Sequence, residues 1–123
     1  MDGRSVRAVA AGLGTLGAIM FAVWRINLAL PPPDSMPSPW AVLAASLLMG
    51  LAAEIPAGYV TARLSPRFPV RHAVAVAASA VALGGAFMSG AGLASFVGGA
   101  FLNAFQAPGI LLGAWLQARG GDG

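Results

Sequence analysis

The stretch that most limits how this chain can fold covers residues 40–63, an apolar run of helical length that contains one glutamate, Glu54. A helix needs about 20 mostly apolar residues to cross the hydrocarbon core of a bilayer. Glu54 lies well inside the run, where a charge costs about 3 kcal/mol or more. We therefore predict a membrane-spanning helix in which Glu54 faces protein or water rather than lipid.

The composition of the whole chain also favours a membrane protein. Only 9% of the 123 residues are charged, whereas about 25% is usual in soluble domains. There is no cysteine and only one histidine, so cysteine chemistry is excluded and neither a metal site nor a cofactor is predicted. The basic residues lie at segment ends and form no stripe, which argues against nucleic-acid binding. We expect the lipid bilayer to surround the chain.

Four apolar segments use nearly the entire chain. They predict an all-α, polytopic membrane protein with four transmembrane helices, over residues of about 6–30, 40–63, 72–88 and 93–117, in a single domain that covers residues 1–123. Prolines in residues 31–39 and 65–71 predict non-helical connections. The first segment also resembles a signal peptide, but it is longer than the usual apolar core of one, and we interpret it as a retained helix.

The distribution of basic residues predicts how the helices are oriented. Along an alternating four-helix path, six of the seven basic residues fall on one side of the membrane: Arg4, Arg7, Arg63, Arg67, Arg71 and Arg119. Only Arg25 lies toward the other side. Because Lys and Arg are retained on the cytoplasmic side, both termini are predicted to be cytoplasmic, in a bacterial inner membrane.

Small and polar residues are predicted to lie around Glu54. Gly50 and Gly58 flank it by one helical turn on either side and would let another helix approach closely. The fourth helix offers a matching face of small and polar residues, made of Gly99, Asn103, Gln106 and Gly113. Gln106 lies about as far from its cytoplasmic helix end as Glu54 does, so we expect these two side chains to hydrogen bond.

Two interpretations of Glu54 follow. In the first, it is a neutral, hydrogen-bonded acid that fixes the helices in register. In the second, it is a proton-binding carboxylate that exchanges its proton for a substrate or an ion. We favour the first, because hydrogen bonds between membrane helices are common and contribute about 0.6 kcal/mol each.

Three short motifs carry a resemblance to a known group of proteins. They are residues 58–63 at the end of the second helix, residues 71–73 at the start of the third, and residues 108–116 in the fourth. Together they resemble small four-helix bacterial inner-membrane proteins, a resemblance that implies no activity. Small multidrug transporters differ because their essential glutamate lies in the first helix. Fluoride channels differ because their third helix has a polar, phenylalanine-rich break.

These features predict a protein that is not an enzyme. A membrane hydrolase needs a nucleophile beside a base, and Ser46, Ser79, Ser89 and Ser95 have no histidine at matching depth. We expect a structural or accessory subunit that docks through its small residues onto other membrane protein subunits, as in a respiratory or photosynthetic complex, or onto copies of itself. The alternative is a small proton-coupled transporter or channel that works through Glu54, Gln106 and Asn103.

Overall fold

The computed structural model describes residues 2–31, 34–35, 37–65, 67–88 and 92–121, without the side chains of residues 87–88, 93–96, 98–103 and 105–106. These ranges contain four α-helices, α1 (Gly3–Ala29), α2 (Pro39–Leu64), α3 (Pro69–Met88) and α4 (Leu93–Gly120). The prediction of an all-helical chain is confirmed over these ranges.

Three helical segments are long and apolar enough to cross a membrane: Gly3–Ala29, Pro39–Leu64 and Pro69–Ala86. The 27 residues of α1 extend over about 40 Å at 1.5 Å per residue, which exceeds a hydrocarbon core of about 30 Å. These findings indicate a membrane protein. That α4 also spans the membrane stays a prediction.

The first two helices begin with side-chain caps. The carboxylate of Asp2 accepts a hydrogen bond from the Ser5 amide at 2.8 Å, so α1 begins three residues before the predicted start at residue 6. The Ser38 hydroxyl accepts from the Ala41 amide at 3.2 Å and precedes Pro39 at the start of α2. Such caps satisfy amides that have no partner within the helix.

The sequence predicted that α3 begins near His72, but the helix begins earlier, at Pro69. Proline suits the first helical turn because its missing amide would have no intrahelical partner there. The preceding residue, Phe68, has a φ of 54°, a conformation that is uncommon outside glycine. Its carbonyl oxygen accepts the amides of Arg71 and His72, at 3.0 and 3.4 Å, and so closes the first turn of α3.

Close contacts fix the directions of the helices. In α1, Gly12 lies against Thr61 of α2, whereas the later residue Met20 shares a cavity with the earlier α2 residue Met49, so these two helices are antiparallel. In α4, Gly109 lies against Leu51, and a later glycine, Gly113, lies against Tyr59, so α2 and α4 run in the same direction.

The bundle therefore has two halves. We call residues 3–14, 50–64, 69–80 and 107–120 the inner half, and residues 15–29, 39–49, 81–88 and 93–106 the outer half. Among the described side chains, the buried hydrophobic ones belong to the inner half and are mostly alanines: Ala8, Ala53, Ala57, Ala62, Ala73, Val76, Ala77, Ile110 and Ala114. In the outer half, the whole of residues 39–48 is exposed.

Candidate functional site

Glu54 lies where α2 crosses α4, and only 5% of its surface is exposed. A Cβ atom placed on Gly109 of α4 would lie 2.7 Å from Glu54 Oε2 and 2.9 Å from Glu54 Cβ. Cβ atoms do not approach non-bonded heavy atoms so closely, so a side chain at this point of α4 would force Glu54 to move. The side chain of Glu54 is thus covered by the backbone of the neighbouring helix.

Two further glycines bring the backbones of α2 and α4 together. A Cβ on Gly58 would lie 2.7 Å from the carbonyl carbon of Ile110 and 2.9 Å from its Cα. A Cβ on Gly113 would lie 2.9 Å from both the carbonyl carbon of Ile55 and the amide nitrogen of Tyr59. Small residues allow this kind of approach between membrane helices, and dispersion contacts then stabilise the pair. Gly58 and Gly113 are both positions that the sequence analysis selected.

Four further residues were predicted to lie around Glu54: Gly50, Gly99, Asn103 and Gln106. Gly50 is buried and borders a cavity of about 280 Å³ between α1 and α2. Gly99, Asn103 and Gln106 belong to α4, but they lie outside the described side chains. Gln106 is one turn before Gly109, which contacts Glu54. The hydrogen bond between Glu54 and Gln106 therefore stays a prediction.

The carboxyl group of Glu54 has an unmet polar requirement. Its Oε2 atom is buried and has no hydrogen-bond partner among the residues described here. A buried polar atom without a partner costs about 1–3 kcal/mol, and an unpaired charge costs more. A proton on the carboxyl group would remove the cost of a buried charge, whereas a donor from a side chain outside the description would supply the missing hydrogen bond.

A second polar site lies at the end of the inner half, where α1 begins and α2 connects to α3. It is a cavity of about 510 Å³, which we call the basic cavity, lined by Asp2, Arg4, Ser5, Arg67, Phe68 and His72. The sequence analysis used Arg4 and Arg67 only to orient the helices. The density of basic residues near both segments was the available signal for a shared site, but their position on one cavity depends on the antiparallel packing of α1 and α2.

His72 is held by two hydrogen bonds on one side of its ring. Its Nδ1 lies 2.8 Å from the Ser65 hydroxyl and 3.0 Å from the Phe68 carbonyl oxygen. The Ser65 hydroxyl uses its one proton to donate to the Arg67 carbonyl oxygen at 2.8 Å. Because both neighbours then act as acceptors, Nδ1 carries the proton and donates to them. The opposite ring nitrogen, Nε2, makes no hydrogen bond with the residues that the structure describes.

The charges around the basic cavity are unequally satisfied. The hydrogen bond from the Ser5 backbone amide holds the pKa of the Asp2 carboxyl group below its usual value. The guanidinium of Arg119, outside the cavity, lies 4.6 Å from the centre of the Trp115 ring. By contrast, the guanidiniums of Arg4 and Arg67 make no ion pair or hydrogen bond with any residue whose side chain is described.

Comparisons with known proteins do not identify this chain: no protein-family model, curated protein or solved structure matches it. The function is therefore inferred from the residues themselves.

Proposed function

We propose that this chain is a non-enzymatic structural or accessory subunit of a larger membrane protein complex. The observation that carries the proposal is the exposure of residues 39–48, which form nearly three turns of α2 and contain no buried residue. A helix at the edge of a complete bundle packs one face against its neighbouring helices and exposes the other face to lipid. Helical turns in which no face is buried have room for a further protein partner.

The outer half of α1 supports the same proposal. Phe21, Trp24 and Leu28 are 61%, 54% and 62% exposed. Phe21 and Trp24 pack against each other, with ring centres 5.7 Å apart, and they extend an apolar surface next to the exposed turns of α2. The partner that fits this surface is an apolar membrane helix, either from another subunit or from a second copy of the chain. A respiratory or photosynthetic assembly is the type of complex we expect.

Purification from native membranes in a mild detergent tests this proposal. We expect the chain to elute with a partner that mass spectrometry identifies, or as a dimer or higher oligomer of defined mass. Recovery as a lone monomer under conditions that preserve known complexes of the same membrane would contradict it.

We also propose that both termini lie on the cytoplasmic side of a bacterial inner membrane. The basic cavity supports this orientation, because residues near the N-terminus and in the connection between α2 and α3 meet at one end of the bundle. The chain has no cysteine, so single cysteines can report accessibility. An Asp34→Cys variant should react with an impermeant maleimide from outside the cell, and a Gly121→Cys variant should react only after lysis. The opposite pattern would contradict the orientation.

One observation favours a second function, proton-coupled transport through Glu54. The carboxyl oxygen Oε2 is buried without a described partner, as expected of a group that binds and releases a proton. The test is ion and substrate flux in liposomes that contain the wild type or the Glu54→Gln variant, which keeps the size of the side chain. Flux that requires Glu54 would support transport. Absence of flux, or equal flux from both proteins, would favour the subunit role.

A further inference from the structure

We propose that the basic cavity is a binding site for a phosphate group, carried either by a phospholipid headgroup or by a free phosphate. This inference is independent of the proposed subunit role. It rests on the unsatisfied groups that line the cavity, on its size and on its position at the ends of membrane-spanning helices.

The first argument is the chemistry of the lining. Arg4 and Arg67 line the same cavity, and neither forms an ion pair with a described carboxylate, although the charge of Arg4, after the Ser5 amide, contributes to the lowered pKa of Asp2. Arg binds phosphate oxygens through pairs of parallel hydrogen bonds, and such charge-assisted bonds are stronger than neutral ones. Asp2 is the one acidic side chain of the lining, and its carboxylate already accepts the Ser5 amide. Two cations against one anion leave the cavity positive.

The second argument is His72, which is 8% exposed and lines the cavity. Ser65 and Phe68 hold its Nδ1 side, so the ring is fixed and only Nε2 remains to bind a ligand. A neutral ring accepts a hydrogen bond at Nε2. A phosphate that carries a hydroxyl group, or a headgroup with a hydroxyl near its phosphate, would donate that bond while its oxygens contact the guanidiniums.

The size and the position of the basic cavity also fit a phosphate-bearing ligand. The volume of about 510 Å³ falls within the range of about 300–1,000 Å³ that is typical of small-molecule sites, and it exceeds what one phosphate fills. The cavity lies beside the first residues of α1 and α3, both of which begin segments that are long and apolar enough to span a membrane. Phospholipid headgroups surround a protein at this depth, and basic pockets between membrane helices bind them.

The test measures binding to the full-length chain in a non-ionic detergent by calorimetry. The three probes are short-chain phosphatidylglycerol, short-chain phosphatidylcholine and inorganic phosphate. Phosphatidylglycerol carries both a net negative charge and headgroup hydroxyls, whereas phosphatidylcholine carries neither. We expect phosphatidylglycerol or inorganic phosphate to bind the wild type, with phosphatidylcholine binding more weakly.

The variants are Arg4→Gln and Arg67→Gln, with Arg119→Gln as the matched control. Each removes one positive charge from the same end of the bundle, but Arg119 lies on the Trp115 ring and outside the cavity. Each cavity variant should weaken binding about fivefold, from roughly 1 kcal/mol per basic residue, and the control should leave binding unchanged. All three arginines are exposed, and circular dichroism and elution volume will check that each variant remains folded.

The outcomes separate the two sources of phosphate. Arginine-dependent binding of phosphatidylglycerol without binding of free phosphate assigns the cavity to a lipid headgroup, and the reverse result assigns it to a free phosphate. Either result supports a phosphate site. The proposal is overturned if no probe binds, or if the cavity variants reduce binding no more than the Arg119→Gln control does.

Discussion

Helix α2 meets two different surroundings along its length, although both parts are apolar. In residues 50–64, one face is buried: Gly50, Ala53, Glu54, Ala57, Gly58, Thr61 and Ala62. In residues 39–48, nothing is buried. Leu47 shows the change most clearly, since it lies on the same face as Glu54, two turns earlier, and is 39% exposed.

The difference between the two halves shows that small side chains alone do not close a helix pair. The outer half of α2 also contains small residues, Ala44 and Ala45 among them, and they remain exposed. The inner half differs because Gly58 and Gly113 each meet the backbone of the opposite helix. We infer that these glycines set the distance between α2 and α4, and that the alanines around them then become buried.

We expect the largest difference in stability when side chains of equal size are shortened to alanine, one in each half of the bundle. Ile110 is 1% exposed in the inner half and Leu48 is 68% exposed in the outer half. Ile110→Ala should lower the free energy of unfolding by about 3 kcal/mol, because it leaves a cavity in the packed core. Leu48→Ala should change it by less than about 0.5 kcal/mol. Denaturation with SDS in mixed micelles measures the free energy of unfolding of both variants. Equal losses would contradict the difference in packing between the two halves.

The next effect tests the glycine contacts. Gly58→Ala should destabilise the bundle by about 2 kcal/mol, since its Cβ would overlap the backbone of Ile110 and α4 would have to move. Gly109→Ala should cost less, because its Cβ would meet side-chain atoms of Glu54 and Leu51 rather than the backbone of the opposite helix. Gly17→Ala is the control, since its Cβ would meet nothing within 4 Å. A cost at Gly17 equal to that at Gly58 would show that helix flexibility, rather than contact, explains the effect.

A smaller effect is expected from the predicted hydrogen bond between Glu54 and Gln106. A double-mutant cycle with Glu54→Leu and Gln106→Leu isolates the coupling between the two side chains. We expect a coupling free energy of about 0.6 kcal/mol, as is typical of hydrogen bonds between membrane helices. No coupling in the same unfolding assay would mean that the two side chains do not interact, and a partner for Glu54 would have to be sought elsewhere.

The smallest effect concerns the end of α1. Because the Ser5 amide lowers the pKa of Asp2 below the value of 3.8 found in model compounds, the charged carboxylate stabilises the folded helix end. This stabilisation is present above that value and is lost as the pH falls through the lower pKa of the folded state. Hydrogen exchange at the Ser5 amide, corrected for its intrinsic pH dependence, should therefore speed up in acid.

The Asp2→Ala variant provides the comparison for this experiment. It should show fast exchange at Ser5 at all pH values, while Asp34→Ala, in the opposite connection, should behave like the wild type. If protection at Ser5 in the wild type did not change with pH, the cap would not contribute to the end of α1.

The existence of the helices was predictable from the sequence, because residues 40–63 and the other apolar segments have the length and hydrophobicity that are typical of membrane-spanning helices. Their starts were less predictable. The start of α3 at Pro69 was missed because a proline both ends a connection and suits a first helical turn. The sequence alone does not separate these two uses.

The contacts between helices were harder to predict than the helices. Glycines and alanines occur at helical spacing in several segments of the chain, so spacing alone does not say which pair meets. The sequence analysis selected Gly58 and Gly113 together with Gly50, which instead borders a cavity next to α1. The basic cavity was not predicted, because the basic residues placed the starts of α1 and α3 at the same end of the bundle without showing that the two lie side by side.

The measurement that tests the central claim most directly is photo-crosslinking in native membranes from one position in each half. A photoreactive amino acid replaces Leu48 in the outer half of α2 or Val74 in the inner half of α3, which are 68% and 50% exposed. If a partner covers the outer half, position 48 will form an adduct with a protein of defined mass, and position 74 will react with lipid. Adducts with lipid alone at both positions would contradict the account.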